Sequence, residues 1–125
     1  MKKYLVIGNP IEHSLSPKLH NYWFEKNNID ANYSKRKIDK SEIHKIVSEI
    51  KNNKIDGVNV TVPFKNDVIP YLDMLSEESK ITQSVNTIYV YNKKLVGHNT
   101  DIKGFELSLK ETQFELKNKS VFILG

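Results

Sequence analysis

A three-layer α/β/α domain on a mixed, mainly parallel sheet is the architecture expected of this chain, and three observations carry that expectation. Apolar, β-branched runs, Tyr4-Leu5-Val6-Ile7 and Val58-Asn59-Val60-Thr61-Val62, alternate with stretches of helical periodicity. Each run empties into a polar loop marked by Gly, Asn or Pro. The resulting strand–helix–strand–helix–strand order calls for right-handed crossovers and parallel pairing, to which a later hairpin adds antiparallel strands. A length of 125 residues suits one domain with a core of its own.

In chain order, Lys3–Gly8 reads as a strand. Ser16-Pro17 opens a helix, Ser16 as N-cap and Pro17 in the first helical position. That helix extends to Asn28, with Leu19, Tyr22, Trp23 and Phe24 turned inward as core. Ala31–Ile38 alternates but is rich in charge, which suits an edge strand. Ser41–Lys51 is an amphipathic helix, because Ile43, Ile46, Val47 and Ile50 recur at helical spacing. Gly57–Val62 is a second central strand; Asn66–Leu72 and Glu77–Gln83 are short helices. Thr87–Tyr91 and Lys94–His98 form a hairpin across Asn92-Lys93. Asp101–Lys110 is a helix capped by Thr100 or Asp101, and Lys119–Gly125 is a last apolar strand.

Composition narrows the function classes. Cysteine is absent, which excludes disulfides, a thiol nucleophile and thiolate metal sites. Tyr4–Gly8 is too short for the apolar core of a signal peptide and no run approaches a membrane span, so a cytoplasmic location is expected. The formal charge of +4 comes from scattered lysines, with Arg36 the sole arginine. Nucleic-acid readers rely on Arg forks and aromatic platforms, so a solvated lysine surface is the better account and no nucleic-acid partner is expected. His13, His20 and His98 lack the spacing of metal ligands, so no metal site is expected; His20 packs or caps within its helix.

Polar residues gather where the strands end. His13-Ser14-Leu15-Ser16-Pro17, closed by His20-Asn21, sits on a strand-to-helix turn. A helix N-terminus offers free N–H groups and a positive dipole end, which suits a carboxylate or phosphate, and the hydroxyls of Ser14 and Ser16 add donors. Asn59-Val60-Thr61-Val62-Pro63-Phe64-Lys65 repeats the design, followed by Val85-Asn86-Thr87 and Asn99-Thr100-Asp101. In open α/β sheets, ligands bind in the crevice outside the carboxyl ends of the strands. Taken singly, each cluster is ordinary turn and cap chemistry.

Together these motifs resemble the N-terminal, substrate-binding domain of the shikimate dehydrogenase family, over nearly the whole chain. The opening pattern is carried by Gly8-Asn9-Pro10-Ile11 and His13 to Pro17. One local departure is Gln83-Ser84, where the family usually has small residues before the Asn-Thr pair. The resemblance implies NADP-linked hydride exchange between shikimate and 3-dehydroshikimate, in the route to chorismate and the aromatic amino acids. It implies Ser14, Ser16 and Thr61 on the substrate carboxylate, Asn59 and Asn86 as further substrate-binding residues, and Lys65 with Asp101 as both substrate ligands and catalytic pair.

A hydroxyl that loses hydride must also lose its proton, and a positioned acid–base group speeds that step; Asn86 and Asn99 both donate and accept, which suits a polyol. The resemblance also divides the chain, into a substrate domain over 1–101 and, over 102–125, a linking helix and the first strand of a nucleotide-binding unit. The Gly-rich phosphate turn would begin at Gly125, so NADP is expected to be bound outside this chain. A chain parted from that unit is expected to be inactive alone and to self-associate through exposed apolar surface. The other readings are a quinate/shikimate dehydrogenase of broader specificity, or one using NAD, and a non-catalytic shikimate-binding module.

Overall fold

β1 (Lys2–Gly8) is the axis of the sheet, paired in parallel with β2 (Ala31–Lys37) on one side and with β3 (Gly57–Val60) on the other. The computed structural model describes residues 1–124. The remaining elements are α1 (Ser16–Lys26), α2 (Ile43–Lys51), β4 (Met74–Leu75), α3 (Glu77–Thr82), β5 (Thr87–Tyr91), β6 (Lys94–His98) and α4 (Asp101–Glu111). Sheet order is β2-β1-β3-β5-β6-β4. Three of its five ladders are parallel, so the sheet is mixed and mainly parallel as expected.

The two faces are covered separately, which makes the layers. Leu5 and Ile7 point to one face and meet Ile43, Ile46, Val47 and Ile50 of α2, with Val58, Val60, Ile88 and Leu95 from the neighbouring strands. Val6 points to the other face and packs with Ile11 and Tyr33, against which Tyr4 and Phe24 lie. The i, i+3, i+4, i+7 spacing in α2 therefore places all four apolar residues inside, as read from the sequence. β2 is an edge strand, and its lysines and arginine guard the open ladder.

Four expectations about the fold are corrected. Leu19, Tyr22 and Trp23 are exposed, because α1 faces the sheet with His20, Asn21 and Phe24 instead. Asn21 grips the β2 backbone at Tyr33 with two hydrogen bonds of 2.8 Å, and the His20 ring stacks on Tyr33 at 4.2 Å. β3 stops at Val60, because Pro63 brings no N–H to a ladder and Phe64 N turns back to Thr61 O at 3.0 Å. Asn66–Leu72 is a run of turns with one 3-10 turn at Ile69–Tyr71, where Pro70 removes the donor a longer helix needs.

The parallel edge strand β4 was not foreseen; at two residues it has no periodicity to read. Residues 119–124 form no strand, and Phe122 to Leu124 are almost fully exposed, because no described segment offers them a ladder partner. Gly125, the last residue of that expected strand, lies outside the described residues. Among the described residues no helix is long and apolar enough to cross a membrane.

Candidate functional site

Four strand ends converge on one edge of the sheet. β1 and β3 run parallel and deliver their C-terminal ends there. β5 runs antiparallel to β3 with Asn59 opposite Thr87, so its first residue arrives at the same edge. β6 returns with His98 opposite Thr87, which brings the segment after it alongside. Residues far apart in the chain, from Ser14 to Asp101, are thereby brought to one edge of the sheet.

At one end of it, Lys65 Nζ and Asp101 Oδ2 form an ion pair at 2.5 Å, with Lys65 about two-thirds buried and Asp101 about half exposed. The backbone of Lys65 is held by Val85 N, which donates to its carbonyl at 2.8 Å. Asn86, buried, is the hub. Its Nδ2 donates to Thr100 Oγ1 at 2.7 Å and to Asp101 Oδ1 at 2.9 Å. Its Oδ1 accepts from Thr100 N and from Thr87 Oγ1, both at 3.0 Å. Both Asp101 oxygens are thus engaged, one by a cation and one by an amide.

At the other end, a cleft of about 260 Å³ is lined by Pro10, Ile11, Ser14, Ser16 and Thr61 over Val6. A Cβ on Gly8 would stand 2.6 Å from Thr61 Cγ2, so only glycine lets Thr61 approach β1 this closely. Thr61 N is fixed by Ile7 O at 3.0 Å. The expectation that Ser16 is the N-cap is corrected: Leu15 flanks the helix, and Ser16 N donates to Ser14 Oγ at 3.3 Å. Pro17 does sit in the first turn.

Tyr33 and Thr87 are the site residues that sequence reasoning missed. The Tyr33 hydroxyl donates to Asn59 Oδ1 at 2.6 Å. Asn59 Nδ2 then donates to Asn86 O and Thr87 Oγ1, each at 3.1 Å. A continuous polar chain therefore joins Tyr33 to Asn59, Thr87, Asn86, Asp101 and Lys65. The alternation of Ala31–Lys37 marks Tyr33 only as an inward residue; its partner lies two strands away, which no local pattern reports.

Burial pushes the Tyr33 phenol up to about 12, against a weaker opposing effect from the Ser16 hydroxyl. A phenol harder to ionise when folded adds its full stabilisation below its unfolded pKa of about 10 and loses it as pH rises from there toward 12. The domain should therefore weaken over that alkaline range. A Tyr33→Phe variant should lose that part of the pH dependence in urea unfolding; equal alkaline slopes in both proteins would refute it.

Asn99, read as a group for a polyol, is turned inward. It is buried, accepts from Asp101 N at 2.9 Å and Ile102 N at 3.3 Å, and donates to Ser84 O at 3.0 Å. The expected cap of α4 by Thr100 or Asp101 is corrected accordingly: the side chain that meets the first-turn amides belongs to Asn99.

A larger cleft of about 670 Å³ lies at the opposite end of β1 and β2, lined by Lys3, Asn32, Arg36, Glu49 and Asp56 among others. Its polar groups answer one another, Arg36 with Glu49 at 2.9 Å and Lys3 N with Asp56 at 2.8 Å. The convergent chemistry is at the strand C-termini, and that edge is the candidate site. Among the described residues no three His, Cys, Asp or Glu side chains gather as a metal centre.

Residues 6–88 match the model of the shikimate dehydrogenase substrate binding domain. A shikimate dehydrogenase (NADP(+)) of Pelagibacter ubique is 58% identical over 124 residues, 99% of this chain and 47% of that protein. One of Clostridium beijerinckii is 42% identical over 125 residues, 100% of this chain and 46% of that protein. Among solved structures, a shikimate 5-dehydrogenase of Thermus thermophilus in complex with NADP(H) and shikimate superposes with a TM-score of 0.86 at 32% identity, covering 94% of this chain and 44% of that one. The chain spans about half the length of the curated relatives it matches.

Proposed function

This chain belongs to the shikimate dehydrogenase substrate-binding domain family, and on that premise we propose that it is the shikimate-binding part of an NADP-dependent shikimate dehydrogenase. The observation that carries the reading is the Lys65–Asp101 pair at 2.5 Å, at the same sheet edge as the cleft lined by Ser14, Ser16 and Thr61. We assign the substrate carboxylate to Ser14, Ser16 and Thr61, whose hydroxyls suit an anion without a guanidinium. The ring hydroxyls then face Lys65, Asp101 and Asn86. Asn86 meets a hydroxyl by exchanging Thr100 or Asp101 for it, and Asn59 supports that exchange from behind, also within contact of the substrate.

NADP supplies the hydride acceptor in relatives bearing that name. The described residues do not fit it. The space above Gly8 is taken by Thr61 and that above Gly97 by Leu72 and Val85, while Gly104 lies open on a helix, so none frames a phosphate cradle. We place the nucleotide in the part of the relatives' length that this chain does not span. The chain's own work is to hold the ring, shield it, and take the proton of the hydroxyl whose carbon gives up hydride. All buried residues among those described lie at or before Asn99, which supports a substrate domain over 1–101 and a linking segment over 102–125. We place that activity in the cytoplasm and in aromatic amino-acid biosynthesis, extending the relatives' name of shikimate dehydrogenase.

Nuclear magnetic resonance titration tests the reading. Shikimate should shift Ser14, Ser16, Asn59, Thr61, Lys65, Asn86 and Asp101, and Ser16→Ala or Thr61→Ala should weaken binding about tenfold by removing a hydrogen bond to a charged group. Shifts clustered elsewhere, or none at millimolar shikimate, would sink the proposal. Light scattering of the same samples reads the self-association that exposed Phe105, Phe114 and Phe122 favour.

A further inference from the structure

No residue of α4 is buried, so the helix that carries Asp101 is not held by a core of its own. Its first turn is held by polar contacts instead. Asn99 Oδ1 receives both Asp101 N and Ile102 N, and Asn99 Nδ2 ties the same side chain to Ser84 O, in the segment that leads into Asn86. Thr100 exchanges a second pair of hydrogen bonds with Asn86. Asn99 is the one that fixes the Asp101 backbone itself, and it is 4% exposed. We propose that Asn99 is a positioning residue, setting the direction in which the Asp101 carboxylate meets Lys65 and the substrate.

This rests on the reading of Lys65 and Asp101 as the acid–base pair. An asparagine two positions before the carboxylate reaches the amide of the carboxylate residue in a single side-chain turn. Buried, it has few rotamers to choose from, and its second anchor at Ser84 removes the rest. Asn99 touches neither substrate nor cofactor in this role. Its loss frees the first turn of α4 to swing, which displaces Oδ1 from Asn86 and Oδ2 from Lys65 together. Misplacing a reacting group by about 1 Å costs on the order of 10²-fold in rate.

The first test needs no variant and no ligand. In the wild-type chain, a scalar coupling across the hydrogen bond from the Asp101 amide nitrogen to the Asn99 side-chain carbonyl carbon should be present; its absence overturns the proposal. The second uses the protein at the full length of its relatives. Asn99→Ala should lower kcat by about 10²-fold while the KM for shikimate moves far less. Asn99→Asp, which keeps the accepting oxygen but loses the donor to Ser84 O, should recover part of that loss. An Asn99→Ala enzyme with unchanged kcat, or an Asn99→Asp enzyme no better than Ala, refutes the assignment. If Asn99→Ala does not fold, the coupling and the Asn99→Asp kinetics decide. Failure of shikimate to bind the wild-type chain while the coupling is present counts against the proposed substrate, not against Asn99.

Discussion

Replacing Lys65 by Ala in the full-length protein should lower kcat by roughly 10²–10⁴-fold, the range typical of a lost acid–base group, and leave KM for shikimate within a few-fold. Asp101→Ala should do the same. The two side chains form one unit at 2.5 Å, and Asn86 braces Asp101 from the other side at 2.9 Å. Either substitution leaves its partner without its counter-charge, so the double variant should be little slower than the worse single one. Steady-state kinetics with shikimate varied at saturating NADP separates the parameters. If Lys65→Ala keeps a near-normal kcat and only raises KM, Lys65 is a substrate clamp and the catalytic assignment falls.

The largest loss of stability should come from Ile7→Ala, at about 2–5 kcal/mol. Ile7 is fully buried in β1, opposite Arg36 of β2 and Val60 of β3. Ladders on both sides hold the backbone in place, so the cavity cannot close by a strand moving in. The substitution leaves the polar crevice chemically untouched, because Ile7 faces α2 and not the serine loop. Urea unfolding of the chain should show the midpoint falling with little change in slope. A loss below about 1 kcal/mol would mean that the core relaxes around β1, against the packing described here.

The sheet and the site were legible in the sequence to different depths. Pattern marked β1 as a short apolar run, buried on both faces, and α2 as an amphipathic helix that buries one face and so repeats in step with its geometry. The same rule failed for α1. Leu19, Tyr22 and Trp23 look like a core face, yet the packing that positions α1 is polar and aromatic, through Asn21 and His20 on Tyr33. It failed for 119–124 because an apolar, β-branched run is strand-forming only where a ladder partner exists.

In the site, motif spacing marked Ser14, Ser16, Thr61, Lys65, Asn86 and Asp101, and the topology brings all of them to one edge of the sheet. What spacing did not reveal is how they are wired. Tyr33 enters through a contact made across two strands, and Asn99 points inward although an asparagine next to Asp101 reads equally well as a ligand. The Tyr33 bond joins distant segments and leaves no trace in local pattern, whereas the Asn99 turn is local but uses the same residue type a ligand would.

The pairing order has a consequence for folding kinetics. The β5–β6 hairpin closes over a turn of two residues, Asn92 and Lys93, and is a local structure that forms early. β1 meets β3 only when Tyr4 finds Gly57, a long loop whose closure entropy must be met before the ladder repays it. The serine loop follows β1, whereas Thr61 and Lys65 follow β3. The two halves of the crevice therefore come together only with that long-range step. No partly folded species with the hairpin alone possesses the site, so a ligand held there stabilises the complete fold and slows its unfolding as a whole.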